Sequence, residues 1–474
     1  MTRITRRTLL QSSAAVAAGA LLPASGMAAK RRQPNIVFIM ADDLGHADVS
    51  CYGRRDYRTP AIDRLAEQGL RFTQAYANSA VCSATRTAII TGRYQNRLPI
   101  GLEEPLGMRP VGLPPSHPTL PSLLRKAGYG TALIGKWHLG ALPNYGPQQS
   151  GYDHFWGFRG GGLDYFTHKV FGRADLWDDA REIQEPGYLT DLLGQKAREV
   201  ITGYAGQGKP FFLSLHFNAP HWPWEGPQDE AEARRLDTSG KPMAMFDYDG
   251  GTARTYAQMV TRMDEQIGRV MDTIERLGLA QDTIVIFTSD NGGERFSDNW
   301  PFTGHKTELL EGGLRIPAIV RWPGVVAPGG VSDQAMISMD WLPTLLAAAG
   351  TAPDPAFPSD GIDLGPFLRA PARAQERTLC WRYLNLNQEA CRKGDFKYLK
   401  ILENTFLFNI VEDPLERANL KERMPEKYAE LHAAWQAWNG QMLPLDYDAS
   451  TDGFTGAVMA DHFGITQNHT FTKP

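Results

Sequence analysis

The chain has 474 residues, of which 42% are hydrophobic and 22% charged, and its formal net charge is -4 at pH 7. A chain of this size can bury a large core, and its length allows two or three domains. Because the charge is nearly balanced, the sequence lacks the excess of basic residues that is typical of nucleic-acid-binding proteins, and it gives no indication of a polyanion-binding face. Any attraction for an anionic ligand must therefore be local.

The N-terminus has the pattern of an export signal. Residues Thr5 to Gln11, with the pair Arg6-Arg7, precede an alanine-rich apolar run that reaches Ala29. This pattern predicts a twin-arginine signal peptide over residues 1–29, cleaved near the small residue Ala28. A membrane anchor is the alternative, but glycine and proline interrupt the run and leave it too weakly apolar for a span. We therefore expect a bacterial protein that is periplasmic or secreted, is exported by the twin-arginine machinery and has no stable membrane span in its mature form.

From Pro34 onward, apolar β-rich runs alternate with amphipathic helical patterns. This alternation predicts an α/β fold in which helices sandwich a large, mostly parallel sheet. The clearest predicted strands are Asn35 to Met40, Thr131 to Gly135, Pro210 to Phe217, Thr283 to Thr288 and Ile316 to Arg321, and the clearest helices are Thr59 to Gln68, Leu120 to Ala127 and Tyr256 to Leu277.

The pattern changes after about Pro371. Short strand-like runs then follow one another, with Gly394-Asp395 as a turn signal, and a helical pattern comes after them. The predicted strands are Arg377 to Tyr383, Glu389 to Lys400 and Thr405 to Val411, and the predicted helix is Met424 to Trp438.

The cysteine content excludes a disulfide-built scaffold. There are four cysteines, Cys51, Cys82, Cys380 and Cys391, which is too few for such a fold at this length. Packing must therefore hold the fold. Cys380 and Cys391 lie on neighbouring strand-like runs, and two interpretations stay open: they pair after export, or they are unpaired, half-buried thiols.

One stretch combines several features of a reactive site. Within Val81 to Thr87, Cys82 is followed by small and hydroxyl residues, and an apolar run closed by Thr91-Gly92 comes next. This predicts a short helix that begins at the cysteine, with N-terminal amides that favour negative charge nearby. Arg86 lies one turn further on, so its guanidinium can pair with an anion held over Cys82. An ordinary cysteine at a helix start is the alternative interpretation.

Two segments resemble the signatures of a known family. The first is Cys82-Ser83-Ala84-Thr85-Arg86 with Thr91-Gly92-Arg93 behind it, and the second, Gly128 to Gly140, reads GYGTALIGKWHLG. Together they resemble the type I, formylglycine-dependent sulfatases of the alkaline phosphatase superfamily, arylsulfatases in particular. The resemblance extends from about Pro34 to Leu420. Many members carry Pro where Ala84 stands.

The resemblance implies a domain organisation, a modification and an activity. It implies a catalytic α/β domain over residues 34–371 and a smaller C-terminal domain over residues 372–474, with a short antiparallel sheet and a helix. It also implies that a formylglycine-generating maturation enzyme converts Cys82 to an aldehyde. The implied activity is that of a sulfuric ester hydrolase acting on sulfate monoesters.

Two polar pairs follow predicted strands, at the rim where open α/β sheets bind ligands. Asp42-Asp43 follow the first strand, and Asp290-Asn291 follow the run Thr283 to Thr288. Their oxygen atoms can converge on a hard cation, for which Ca²⁺ is the first expectation and Mg²⁺ the second. Turn or cap sequences are the alternative, and the family resemblance favours the metal. We predict one divalent cation bound by these four side chains and by the modified side chain of Cys82.

Four further side chains match family positions. Lys136 and His138 are two residues apart, so in an extended segment both face one site. His221 follows a predicted strand, and Lys306 precedes a glycine-rich segment. The resemblance implies a catalytic set of Cys82, Arg86, Lys136, His138, His221 and Lys306, whereas His46, His216 and His305 are expected to be structural or supporting.

These residue types meet the chemical demands of sulfate ester hydrolysis. The negative oxygens of the ester repel a nucleophile, so fixed positive charges must neutralise them. A plain Cys82 thiolate could accept the sulfuryl group but would have no internal route to expel it. The hydrated aldehyde has two hydroxyl groups, and one of them attacks sulfur. After His221 has protonated the leaving oxygen, His138 deprotonates the other hydroxyl and sulfate is eliminated.

The sequence leaves the substrate open among aryl sulfates, sulfated monosaccharides and the ends of sulfated polysaccharides. Gly160 to Phe166 and Trp222-Pro223-Trp224 flank the predicted site. Exposed tryptophans stack on sugar or aryl groups, although core positions explain tryptophans equally well. The run Gly160 to Gly162 stands where some arylsulfatases place a serine hydroxyl.

Two other functions are alternatives. A phosphomonoester, phosphodiester or phosphonate hydrolase of the same superfamily would use a similar metal rim, and relative turnover of matched sulfate and phosphate esters separates it from a sulfatase. A non-catalytic binder of sulfated glycans is the second alternative. The presence of Cys82, Arg86, His138 and His221 argues against it.

Overall fold

The computed structural model describes residues 33–105, 110–240 and 250–451. The predicted signal peptide therefore lies outside the described residues. In chain order the strands are β1 (Asn35–Ala41), β2 (Leu70–Phe72), β3 (Ala75–Tyr76), β4 (Gly130–Lys136), β5 (His154–Phe158), β6 (Lys169–Val170), β7 (Arg173–Ala174), β8 (Trp177–Asp178), β9 (Arg181–Glu182), β10 (Phe211–His216), β11 (Thr283–Ser289), β12 (Ala318–Arg321), β13 (Gly330–Ser332), β14 (Met336–Ile337), β15 (Thr378–Tyr383), β16 (Gln388–Lys393), β17 (Phe396–Ile401) and β18 (Asn404–Asn409).

The helices are distributed between the strands along the whole described chain. They are α1 (Pro60–Gln68), α2 (Cys82–Thr91), α3 (Leu120–Lys126), α4 (Leu189–Gln207), α5 (Glu230–Thr238), α6 (Ala253–Arg276), α7 (Glu311–Leu314), α8 (Trp341–Ala348), α9 (Gly365–Arg369) and α10 (Pro425–Asn439). None of the helices in the described ranges has the length and apolar composition needed to span a bilayer.

A ten-stranded sheet with the order β13-β2-β12-β11-β1-β10-β4-β5-β8-β9 forms the centre of the fold. Its middle strands, from β11 to β5, run parallel to one another. Antiparallel pairs extend it at both sides. Every residue of β1 is buried, as expected for a parallel strand covered on both faces.

Helices cover both faces of this sheet because successive side chains of each strand point in opposite directions. Val37 and Ile39 of β1 enter one core, which contains apolar residues of α1, α4 and α6. Ile36 and Phe38 enter the other core, which contains residues of α3, α8 and α9. The predicted sandwich of a mostly parallel sheet between helices is confirmed.

A separate antiparallel sheet, β15-β16-β17-β18, follows in the C-terminal part of the chain. Leu431 and Trp435 of α10 pack against one face of it. The short antiparallel sheet and the helix expected here are present, and Gly394, with a φ of 58°, lies in the turn between β16 and β17. A domain boundary at residue 371 stays a prediction.

Two differences from the predicted elements have simple causes. The strand predicted from Ile316 begins at Ala318 instead, because Pro317 has no backbone N–H to donate to a neighbouring strand. Helix α4 was not among the predicted helices, because its buried face is not purely apolar. The buried side chains include the polar Thr190 as well as leucines.

Candidate active site

Four neighbouring parallel strands end at one edge of the central sheet, and a polar side chain lies at or beyond each end. Asp42 follows β1, Lys136 is the last residue of β4, His221 lies beyond β10, and Asp290 follows β11. Because β11, β1, β10 and β4 are parallel neighbours, their carboxyl ends share an edge. The sheet topology therefore brings together groups that are distant in sequence.

Helix α2 brings Cys82 to the same edge. It begins at Cys82, after an extended Val81, and ends before Gly92, whose φ of 67° is in the left-handed region that favours glycine. Cys82 Sγ lies 3.3 Å from Asp42 Oδ1 and 3.7 Å from Asp43 Oδ1. The helix predicted to begin at this cysteine is therefore present, and it points its first side chain at two carboxylates.

Three carboxylates and three cations pair around Cys82. Lys136 Nζ donates to Asp42 Oδ2 at 2.6 Å, and Lys306 Nζ donates to Asp43 Oδ2 at 2.9 Å. Arg86, one turn beyond Cys82, donates from Nε and Nη2 to Asp290 Oδ2 at 3.0 and 2.8 Å. All six side chains are at most 4% exposed. The pairing matters because a charge buried without a partner is strongly destabilising.

This environment shifts the protonation of the groups within it. Burial raises the pKa of the Cys82 thiol well above its ordinary value, and the charges of Asp290 and Asp42 raise it further. Burial also raises the pKa of Asp42, while the charge of Lys136, with Nζ 2.6 Å from Oδ2, acts in the opposite direction and favours the ionised pair. At Asp290 burial acts in the same direction, but Arg86 and Lys136 outweigh it and hold the pKa below its ordinary value. An unmodified Cys82 is therefore a neutral thiol and a weak nucleophile.

The acidic side of the cluster has the ligand set of a divalent cation. One atom each of Asp42, Asp43, Cys82 and His221 lies within 4.8 Å of the others. Asn291 Nδ2 donates to Asp43 Oδ1 at 2.7 Å, while the buried Asn291 Oδ1 has no hydrogen-bond partner among the described residues. A cation held between the carboxylate oxygens would provide that partner, and Ca²⁺ and Mg²⁺ prefer such oxygen donors. The residues present therefore fit a divalent cation.

The predicted metal ligands overlap only in part with the group that the structure brings together. This structural group consists of Asp42, Asp43, Cys82 and His221. Asp290 adjoins the group through its Oδ1, which accepts a hydrogen bond from the Asp43 backbone N–H at 3.2 Å. His221 belongs to the structural group, although the sequence indicated an acid role for it and no ligand role. Asp43 has a positive φ of 59°, a conformation that aspartate is among the residues to tolerate, and its Oδ1 accepts a hydrogen bond from Asn291 beyond β11.

The two predicted catalytic histidines have different hydrogen-bond environments. Neither ring nitrogen of His138 has a hydrogen-bond partner in the described part of the chain. His221 Nδ1 donates to the Trp222 carbonyl oxygen at 2.8 Å, which leaves Nε2 to accept from Lys306 Nζ at 3.4 Å. Burial lowers the pKa of both imidazoles well below the ordinary value, and nearby cations add to the effect. Both rings are therefore neutral, and His138 is available to accept a proton.

A glycine run covers both histidines. A Cβ atom at Gly161 would lie 2.8 Å from His138 Cε1 and Nε2, and one at Gly162 would lie 3.0 Å from His221 Cε1. The Trp222 ring packs on His221 with a centroid separation of 4.2 Å. Residues without side chains are therefore required for the backbone to pass this close to the two rings.

The side chains predicted for the site lie together, and their individual roles stay predictions. His216, expected to be supporting, lies against Arg86, with Nδ1 3.4 Å from Nη1. His305 is 41% exposed and lies beside Glu308, and His46 packs between the rings of Tyr52 and Phe302.

Sequence reasoning missed two contacts of the site. The first is the Trp222 carbonyl oxygen, which fixes the tautomer of His221, and no residue pattern reports a backbone acceptor. The second is the close approach of Gly161 to His138. Three consecutive glycines are a usable signal for a crowded backbone, although their position beside the predicted site indicated only a substrate contact.

Comparison with known proteins gives a consistent family. A family model described as Sulfatase matches residues 34–351. The chain is 33% identical over 364 residues to N-acetylgalactosamine-6-sulfatase of Rattus norvegicus, covering 71% of this chain and 66% of that protein. It is 33% identical over 383 residues to arylsulfatase A of Homo sapiens, covering 75% of this chain and 71% of that protein. The chain thus spans about two thirds of the length of the rat relative.

The fold comparison agrees. The crystal structure of Ps i-CgsB in complex with k-i-k-neocarrahexaose superposes with a TM-score of 0.78 at 29% identity, covering 89% of this chain and 96% of that one. The family predicted from the two signature motifs is confirmed. The chain belongs to the sulfatase family, within the alkaline phosphatase superfamily.

Gly161→Ala tests the close packing over His138. The added methyl group must displace the imidazole, since a contact of 2.8 Å is shorter than Cβ atoms tolerate. We expect kcat for nitrophenyl sulfate to fall about 10–100-fold with little change in thermal stability. Gly203→Ala, on α4, is the control, because a Cβ there meets nothing within 4 Å. A Gly161→Ala variant with wild-type kcat would show that His138 is not held by this backbone.

Proposed function

We propose that this protein hydrolyses sulfate monoesters. The observation that supports this most strongly is the cluster of paired, buried charges around Cys82: Asp42 with Lys136, Asp43 with Lys306, and Asp290 with Arg86. Fixed cations of this kind counter the negative oxygens of a sulfate ester, and their carboxylate partners provide oxygen ligands for a metal. Membership of the sulfatase family supports the same reaction.

The nucleophile is proposed to be Cys82 after conversion to formylglycine. The raised pKa of the thiol supports a modification, because a buried neutral thiol cannot attack a sulfate ester effectively. Conversion to the aldehyde supplies a hydrate with one hydroxyl group to attack sulfur and a second from which sulfate is expelled. The maturation enzyme must recognise the segment with Ala84, since the motif here has alanine at that position.

A divalent cation, proposed to be Ca²⁺ with Mg²⁺ second, supplies Lewis-acid polarisation of a hydroxyl group and neutralises ester charge when bound. Asp42, Asp43, Asp290, Asn291 and residue 82 would hold it. Arg86, Lys136 and Lys306 keep the carboxylates in place and add positive charge beside the nucleophile. Because these groups are already buried and paired, they need little reorganisation when the ester enters.

Two proton transfers are assigned to the histidines. His138, neutral and without a hydrogen-bond partner in the described part of the chain, is proposed to take the proton of the second hydroxyl group. His221 is proposed to protonate the leaving oxygen from Nε2. Because its Nδ1 proton is engaged by the Trp222 carbonyl, the neutral ring carries no proton on Nε2, and Lys306 Nζ, 3.4 Å away, is proposed to supply the proton that Nε2 then passes to the leaving oxygen.

The substrate class is proposed to be an aryl or carbohydrate sulfate. One relative is named for N-acetylgalactosamine 6-sulfate and another for aryl sulfates, and the Ps i-CgsB structure holds an oligosaccharide. The half-buried Trp222 beside His221 supports a ring-shaped leaving group, because tryptophan stacks on sugar and aryl rings alike.

Export and domain organisation are also proposals. The twin-arginine signal over residues 1–29, and with it a periplasmic or secreted location, rests on sequence outside the described residues. The division into a catalytic domain, residues 34–371, and a C-terminal domain, residues 372–474, is supported by the second sheet, which begins at Thr378.

Asp43→Asn and Asp290→Asn should each lower bound metal and activity together, because each removes a charged oxygen donor at the proposed cation site. Metal content is measured by elemental analysis after dialysis against trace Ca²⁺ or Mg²⁺. Asp179→Asn is the matched control. Asp179 lies outside the active site, in a group of acidic and histidine side chains with His154 and Asp178 that is more exposed than the group around Cys82. Stoichiometric metal in both active-site variants would reject the assignment.

Cys82→Ala should abolish turnover, and Cys82→Ser should accumulate a sulfated enzyme, since a single hydroxyl group cannot eliminate sulfate. Intact-mass analysis after incubation with nitrophenyl sulfate measures the added sulfuryl group. Cys51→Ser serves as the control and should turn over like the wild type. Steady turnover by Cys82→Ser at the wild-type rate would mean that the second hydroxyl group is not needed.

His221→Ala should depress kcat/KM unequally for two leaving groups. Proton donation contributes roughly 10²–10⁴-fold for an alkoxide and least for nitrophenolate, which departs readily as an anion. The measurement compares a sugar or alkyl sulfate with nitrophenyl sulfate at saturating metal and matched formylglycine content. A proportionate loss on both would indicate that His221 binds the ester, and the acid would then be sought at Lys306 or His305.

A further inference from the structure

Two cysteines face each other across neighbouring strands, far along the chain from Cys82. In the antiparallel pairing of β15 with β16, Cys380 is the direct partner of Cys391. Directly opposed residues of antiparallel strands have Cα atoms about 4.5–5.5 Å apart, which lies within the range of about 4.4–6.8 Å that a disulfide requires. No backbone movement is therefore needed to link them.

The two sulfur atoms are already in contact. Cys380 Sγ lies 2.8 Å from Cys391 Sγ, whereas unbonded heavy atoms attract each other best at about 3.5–4.0 Å. Both side chains are almost fully buried, at 1% and 0% exposure. Their surroundings are apolar and aromatic: Tyr398, Leu407, Leu431 and Trp435.

This environment argues against the other uses of paired cysteines. In the described ranges neither residue belongs to a group of three or more side chains that could hold a metal ion. A catalytic thiol requires exposure and a nearby positive charge, and here the nearest neighbours are apolar. We propose that Cys380 and Cys391 form a disulfide in the mature, exported protein.

Oxidation of the two thiols requires an oxidant, which we propose is a second disulfide. This disulfide belongs either to an exported thiol oxidoreductase or to a small molecule. The thiolate of one cysteine attacks the oxidant, breaks its S–S bond and releases one thiol. The thiolate of the other attacks the mixed disulfide and releases the second thiol. The two cysteines lose two electrons and two protons, which leave with the oxidant as two thiols.

The disulfide would cross-link the two strands of a hairpin that contacts two segments of the active site. Gln388, on the second strand of the hairpin, donates to the Thr307 carbonyl oxygen and accepts from the Leu309 backbone N–H, both at 2.8 Å. Trp381, beside Cys380, donates from Nε1 to the Ala77 carbonyl oxygen at 2.9 Å. The hairpin therefore anchors the segment after Lys306 and the segment before Cys82.

Peptide mapping decides whether the bond exists. The full protein, isolated from the exported fraction, is denatured with iodoacetamide in the absence of reductant and digested with trypsin. Cleavage after Arg377, Arg382 and Arg392 separates the two cysteines onto peptides 378–382 and 383–392. We expect a single linked species, two hydrogens lighter than the sum of the free peptides, that separates on reduction. Cys51 should be alkylated in the same sample. Recovery of both peptides in alkylated form would overturn the proposal.

A stability measurement tests whether the disulfide stabilises the hairpin. The double variant Cys380→Ser with Cys391→Ser should melt about 2–5 °C below the wild type, and reductant present during refolding should lower the Tm of the wild type toward that of the variant. Cys51→Ser, with the hairpin intact, should behave like the wild type. If reductant lowered the Tm of the double variant as much as that of the wild type, the proposed stabilisation by the disulfide would be overturned. Peptide mapping uses the wild-type chain, so a variant that fails to fold leaves that test decisive.

Discussion

Three buried carboxylates with three buried cations set the main constraint on this structure. Each charge alone would carry a desolvation penalty of several kcal/mol in the interior. Asp42 and Asp43 come from the end of β1, Asp290 from the end of β11, Lys136 from β4, Arg86 from α2 and Lys306 from the segment before α7. The sheet, the helix and that segment must therefore all be in place before all six charges are satisfied. The same requirement preorganises the site, because its groups are fixed before an ester or a cation arrives.

The C-terminal sheet takes part in this arrangement through a second set of buried charges. Lys397, fully buried on β17, pairs with Glu311 at 3.0 Å and with Glu416 at 2.9 Å. Glu311 also accepts from Arg315 Nε at 2.6 Å and from the Tyr76 hydroxyl at 2.7 Å. Breaking a buried pair of this kind typically costs about 3–5 kcal/mol. The segment that carries Lys306 is thus held at its far end by charges and in its middle by Gln388. The C-terminal sheet is therefore a structural support of the active site as well as an addition to the fold.

Sequence patterns predicted what depends on local regularity. The buried run Asn35 to Met40 identified a central parallel strand, because a strand covered on both faces is apolar at every position. Position after a strand end and the two motifs selected the side chains that the fold gathers around Cys82. What could not be predicted depends on contacts between distant backbones. The tautomer of His221 is set by the Trp222 carbonyl oxygen, and the approach of Gly161 to His138 depends on how a loop crosses the site. The pairing of each carboxylate with its own cation also became visible only in three dimensions, since residue spacing does not show which lysine meets which aspartate.

The central claim is that sulfate ester hydrolysis depends on a modified Cys82 within this charge cluster. The most direct test compares specific activity toward nitrophenyl sulfate with the fraction of residue 82 present as formylglycine, across preparations made with different amounts of a maturation enzyme and with metal saturating throughout. Mass spectrometry of the tryptic peptide that contains residue 82 gives the fraction. Activity proportional to that fraction, with a line through the origin, is the expected result. Full activity in a preparation whose Cys82 is entirely unmodified thiol would contradict the account.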